Sequence, residues 1–118
     1  MDTLGPSRHS ISYYKLLARP EEYDGQRIQV YGILSISSDG SIASLYPNVE
    51  AFRYRVTVDS LEVRFSDDQS RRFAPLSLNG KFVLLEGIFE RITKTDQDIA
   101  IGTIEPVIRL IDFSEYYR

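Results

Sequence analysis

The sequence predicts a mainly β protein: a small barrel of five to six strands with a short helix near its N-terminus. Three observations predict it. From residue 26 onward, apolar residues recur with period two through most segments, which is the side-chain period of a strand. Segments 24–34 and 79–89 match in register, each with a turn residue, Gly, a polar starter, alternating aliphatics and a Gly-Ile pair. An interior glycine weakens a strand by about 0.5–1 kcal/mol, so Gly32 and Gly87 mark bends or barrel corners. Closing the sheet also removes the edges that this many strands would expose. Aromatic residues are Tyr and Phe with no Trp, a composition suited to half-buried pleated surfaces.

Residues 1–9 read as a loose, flexible terminus and 10–118 as one domain. Ser10 or Ser12 can cap a helix that carries Tyr13, Leu16 and Leu17 on one face. Pro20 ends it, and Pro-Glu-Glu-Tyr makes one further turn before Gly25. Ile28, Val30, Leu34 and Ile36 then share a strand face; Gln29, Tyr31 and Ser35 share the other, with Ile33 as an apolar exception. Ser38-Asp39-Gly40-Ser41 is a turn, after which residues 42–46 return antiparallel until Pro47-Asn48.

Phe52, Tyr54, Val56 and Val58 alternate with Arg53, Arg55, Thr57 and Asp59, and predict another strand. The apolar phase slips by one to Leu61, Val63 and Phe65, which implies a hairpin at Asp59-Ser60 or a bulge, with the hairpin preferred. Residues 66–79 read as polar and irregular. Residues 81–92 are apolar on both faces, the pattern of a central strand. A turn at 93–97 and one or two strands over 98–113, interrupted near Glu105-Pro106, precede a short tail.

The run from Leu16 to Gly32 and the run from Asn79 to Phe89, followed by Gly102-Thr103-Ile104, resemble the opening and closing strands of small bacterial OB-fold-like proteins. The resemblance covers about two-thirds of the chain and rests on turns and strands, so it implies a fold, an OB-like barrel, more than an activity. Such folds carry a helix between the third and fourth strands. Residues 67–77 make a poor one, which leaves the N-terminal helix as the candidate plug for the barrel end.

Composition narrows the chemistry. No cysteine is present, which excludes disulfides, thiolate metal sites and a Cys nucleophile. His9 is the only histidine, so no two-histidine metal site or His-based triad can be built. Asp67-Asp68, Asp96-Gln97-Asp98 and Glu21-Glu22 read as solvated charges. Glu86 is different, because its strand is otherwise apolar: it either faces solvent at a strand edge, the preferred reading, or pairs with an arginine. The start lacks a secretory signal and no stretch is long enough to span a membrane. The expectation is a cytoplasmic protein with no membrane role, no catalysis and no cofactor.

One group of residues suggests a partner. Arg53 and Arg55 share the expected strand face, Arg64 falls beside them across the hairpin, Arg71 and Arg72 follow, and Tyr31 and Tyr46 are candidate neighbours. Arginine with tyrosine suits a protein interface and also single-stranded nucleic acid. The same face is equally readable as plain solvated surface balanced by Asp59 and Glu62. A net charge of −3 argues against a dedicated nucleic-acid binder. The leading expectation is therefore a non-enzymatic, bacterial protein-binding module of the immunity or antitoxin type, or an accessory protein; single-stranded nucleic-acid binding is the alternative. The apolar 104–113 segment and Tyr116-Tyr117 are candidates for a homodimer contact.

Overall fold

A computed structural model describes residues 9–93 and 100–116. The expectations for residues 1–8, for most of the 93–97 turn, for Asp96 and Asp98 and for Tyr117 lie outside the described residues. His9–Ser10 forms a two-residue strand, β1.

Ser12 caps α1 (Tyr13–Ala18), its side chain accepting from the Tyr14 amide at 3.0 Å. Six residues make too short a helix to stand alone; Tyr13 and Leu16 hold it by entering the core. One 3-10 turn follows at Pro20–Glu22, as the Pro-Glu-Glu-Tyr signal predicts. The long strands are β2 (Arg27–Ile36), β5 (Phe82–Arg91) and β6 (Gly102–Asp112); β3 (Ala43–Tyr46) and β4 (Leu61–Val63) are shorter.

Hydrogen bonding runs β2-β3-β4-β6-β5, and β5 pairs again with β2. That second pairing closes a five-stranded OB-like barrel, with β4–β6 as its parallel pair. β1 adds a short parallel strip along β2. The interior is filled by Ile28, Val30, Leu34, Leu45, Leu61, Val83, Leu85, Phe89, Ile104 and Val107, all essentially inaccessible.

Two stretches differ from the sequence reading. Residues 52–58 form no strand. Asn48 accepts from the Ala51 amide at 2.8 Å and starts α2 (Val49–Tyr54), which ends at Arg55 in the left-handed conformation, φ 56°. A single turn at Thr57–Asp59 then leads into β4, so there is no hairpin at Asp59-Ser60. The apolar alternation there was real, but Asn48 behind Pro47 is a strong N-cap and local capping decided the outcome.

The second is α3 (Asp67–Phe73), where an irregular loop was expected. Ser66 and Gln69 form a reciprocal capping box at 3.1 Å each way. Asp67 and Asp68 occupy its first turn and Arg71 and Arg72 its last, the charge order that a helix dipole favours. The helix therefore stands where OB-like barrels carry one, between the third and fourth barrel strands. Likewise, β6 runs unbroken through Glu105-Pro106, a cis peptide, with register shifts opposite Gly87.

The glycines at 32 and 87 serve close approach. A Cβ at Gly32 would lie 2.6 Å from the Tyr46 carbonyl oxygen and 2.8 Å from the Leu45 side chain. At Gly87 it would meet the Ile104 side chain and lie 2.6 Å from the Pro106 carbonyl oxygen. Neither carbonyl can retreat without breaking a ladder. Gly87→Ala is expected to destabilise the fold by about 2–3 kcal/mol, the upper range for overpacking, read as a lower urea midpoint at unchanged slope.

Candidate partner-binding face

The outer surface of β2, β3 and β4 presents a cross-strand row, Ser35 opposite Ser44 opposite Glu62. Period-two alternation forces this arrangement: the neighbours Leu34, Ile36, Leu45 and Leu61 face inward, so these three face out. Loop 37–42 walls one side of the row and the 57–59 turn the other. Between them runs a groove, of about 360 Å³ where Ser35, Ser44, Tyr46, Arg55 and Thr57 line it. It continues past Ser60 and Glu62 to Ile92 and Ala100.

Ile42 lines the groove, and further large apolar side chains on segments next to its lining residues are exposed. Ile42 is 64% exposed, Tyr54 71%, Tyr14 56% and Val58 37%. Tyr14, Tyr54 and Val58 come from three segments that side-chain hydrogen bonds tie together, and Ile42 from loop 37–42. The Tyr13 hydroxyl reaches the Leu45 carbonyl at 2.6 Å and the Asp59 carbonyl at 2.8 Å, fixing α1 to β3 and to the 57–59 turn. Asn48, the α2 cap, donates to the Tyr14 hydroxyl at 2.9 Å. Burial, and then the Asp59 carboxylate, push the Tyr13 phenol well above its ordinary value of 10.0. Burial also raises the Tyr46 phenol, with Arg55 pulling it part of the way back.

The residues expected from sequence are dispersed. Arg55 and Tyr46 line the groove, whereas Arg64 lines a separate hollow with Gly40, Phe65 and Ser70. Arg53 is exposed on α2, and Arg55 lies over the Phe52 ring at 4.8 Å while donating to the Phe52 carbonyl, so the two share no strand face. Arg64 is bound to Glu62 at 3.2 Å and to Glu105 at 3.7 Å. Tyr31 lies on a different wall of the barrel, stacked on Phe82 at 5.7 Å and edge-on to Phe113 at 5.4 Å. Arg71 and Arg72 belong to α3, the first near Asp68 and the second over the Phe73 ring. The 104–113 segment, a candidate dimer contact, is largely β6 itself, with Ile104 and Val107 in the core.

Sequence reading missed the exposed apolar set. Ile42 was assigned to a strand end and Tyr54 to a buried strand face. The Ser35–Ser44 pair, by contrast, follows from the hairpin register once the turn at 38–41 is accepted.

Glu86 is settled as an ion-paired residue. It is 1% exposed on the outer face of β5, with Arg27 Nε at 2.7 Å from Oε2 and Arg109 Nε at 3.2 Å from Oε1. Gln29 adds an amide at 3.4 Å. This group knits β2, β5 and β6 across the closure, since Gln29, Glu86 and Arg109 are register partners. Glu86→Ala leaves two guanidinium groups facing each other, and its expected cost is about 2–4 kcal/mol in chemical denaturation, below the full penalty for a buried pair because both arginines retain some water. Among the described residues no group of three or more His, Asp or Glu could hold a metal ion, and no helix is long and apolar enough to cross a membrane.

Loop 37–42 is held by Asp39. Its Oδ1 accepts from the Ser37 hydroxyl at 2.8 Å, the Ser41 hydroxyl at 2.7 Å and the Ser41 amide at 3.0 Å. Those donors, with Ser41 contributing most, lower its pKa from 3.8 to about 2. A depressed carboxylate contributes stability above its unfolded value and loses it as pH falls through the folded one. The Ser41 amide proton shift is therefore expected to titrate with a midpoint near 2 rather than near 3.8, and the loop to keep its form down to about pH 3.

No protein-family model and no curated protein matches the chain. Among solved structures it resembles a protein from Leishmania major Friedlin assigned as an aspartyl-tRNA synthetase, with TM-score 0.56 and 15% identity. The match covers 97% of this chain but 22% of that one, so the chain spans about a fifth of its length. A DUF3299 family protein from Pseudomonas aeruginosa PAO1 aligns over 78% of this chain and 64% of its own at TM-score 0.46 and 14% identity. At such identities the likeness to the synthetase shows the fold alone.

Proposed function

We propose that this chain is a non-enzymatic protein-binding module whose contact face is the groove over Ser35, Ser44 and Glu62 with its rim of Tyr14, Ile42, Tyr54 and Val58. The observation that carries the reading is the rim. Four large apolar side chains, Ile42 in the groove lining and Tyr14, Tyr54 and Val58 on neighbouring segments, are exposed, as are Arg53 and Arg55, and tyrosine and arginine dominate the energetics of protein interfaces. Small hydroxyl and carboxylate groups between them supply hydrogen bonds that also fix register. An acidic domain that covers another protein's surface fits an immunity- or antitoxin-like role in a bacterial cytoplasm, or an accessory subunit.

Single-stranded nucleic acid has less support. OB-like barrels can bind oligonucleotides on this strand face, and the synthetase resemblance names an enzyme class that acts on tRNA. Yet stacking needs flat rings over the groove and free cations beside them. Of the tyrosines and arginine expected there, Tyr46 is buried, Tyr31 lies elsewhere and Arg64 is paired with two carboxylates, which leaves Tyr14 and Tyr54, on segments beside the groove, as the rings for stacking.

The test replaces three exposed rim residues together, Ile42→Ser, Tyr54→Ala and Val58→Ser. Thermal stability is expected to stay within about 0.5 kcal/mol of the parent, as for other surface changes. An identified polypeptide retained from a source-cell lysate by the parent chain should be lost by about tenfold or more. Equal retention by both chains, or retention only of salt-sensitive oligonucleotides, would overturn the proposal.

A further inference from the structure

A second cleft, of about 680 Å³, lies between loop 37–42 and the turn that follows α3. Its volume falls within the range of ligand-binding clefts, and it is separate from the hydroxyl row. Ile36, at the end of β2, forms part of its lining. Ala74, Pro75 and Leu76 form a wall. Ala74 takes a left-handed conformation, φ 47°, which turns the chain straight from α3 into the 3-10 turn at Pro75–Leu78. The wall is apolar along its length: Pro75 has no N–H, and the Ala74 and Leu76 carbonyls accept from Ser77 and Asn79. Leu78 from the same turn packs on the core, whereas Leu76 is left 54% exposed.

The cleft carries one carboxylate in its lining. Asp39 lines it, and all three donors that orient its carboxylate converge on Oδ1. Asp67 stands one helical turn before Ser70, another lining residue, and so on the same side of α3. The cations of α3 are engaged elsewhere, Arg71 with Asp68 and Arg72 with Phe73. An apolar wall with a fixed anion in the same lining is complementary to one chemistry, a large apolar side chain next to a cationic one.

We propose that this cleft seats a cationic, apolar peptide segment of a protein partner, its large side chain against Ile36 and Leu76 and its Lys or Arg on Asp39. The inference rests on the protein-binding reading, and adds to it the chemistry of the segment and a second point of contact. Loop 37–42 borders both sites, so one partner can span them: Gly40 lines the cleft and Ile42 the groove.

The probe is a random 12-residue peptide display library selected on the full chain, followed by fluorescence anisotropy with the recovered peptides. Recovered sequences should place Leu, Ile, Phe or Met next to Lys or Arg. Leu76→Ser and Asp39→Asn should each weaken binding about tenfold; Leu76→Ser should keep the parent's melting temperature, while Asp39→Asn, which weakens the acceptor that holds loop 37–42, should lower it slightly. The Ile42→Ser, Tyr54→Ala, Val58→Ser variant should bind these peptides as the parent does. Recovery of no such sequences, or binding indifferent to both cleft variants, overturns the cleft. Peptide binding lost only in the rim variant also overturns it, and leaves the module with its groove as the sole contact.

Discussion

Strands β5 and β6 approach each other so closely at position 87 that a side chain there would occupy the space of Ile104 and of the Pro106 carbonyl. The barrel depends on that approach. Only when β6 crosses β5 at this distance can its early residues reach β4 in parallel while its later ones follow β5 to Asp112. Gly32 does the same for β2 against β3. Interior glycines weaken a strand when it is considered alone. Here that loss is offset by closure, which removes the open edges of the sheet and encloses the aliphatic core.

Closure creates a second demand, met on the outside of the wall. Glu86 falls on the outer face of a central strand, yet it is inaccessible, with Arg27, Gln29 and Arg109 bound to its carboxylate. The carboxylate is shielded by its own partners. Their aliphatic stems cover neighbouring strand surface, as long charged side chains commonly do. The result is a wall that is polar at its rim and crosslinked across three strands. A buried ion pair of this kind contributes little net stability against an apolar alternative, but it fixes which residues lie opposite one another.

The other side of the barrel is built differently. The β3–β4 connection forms α2 and a single turn, which place Arg55 and Thr57 in the groove lining and leave Tyr54 and Val58 exposed instead of extending the sheet. Tyr13 and Asn48 bind the N-terminal helix to that connection. Two segments distant in sequence therefore contribute adjacent exposed side chains. The exposure at Ile42, Tyr54 and Tyr14 is a property of this assembly and of no element alone.

Much of the barrel was legible from residues. The period-two run from residue 26, the run at 81–92 apolar on both faces, the Gly-marked bends, the Ser12 cap and the 38–41 turn each express a short-range rule, and local sterics enforce such rules wherever the chain goes. The helix at 67–73 was also written locally, as a capping box with ordered charges, but its polar composition masked it. What failed was residues 52–58, where an alternating pattern fits a strand and a short capped helix almost equally. The Asn48 cap resolved it in favour of the helix, which buries Ala51. By itself the sequence determined a β-rich chain with glycine-bent strands and no thiol or paired histidines for chemistry. Tertiary structure alone decided that Glu86 is enclosed between arginines, that the expected arginine cluster is dispersed, and that Ile42, Tyr54 and Tyr14 are left exposed. Those outcomes depend on which strands become neighbours on closure, and side chains that meet only across the barrel leave no pattern along the chain.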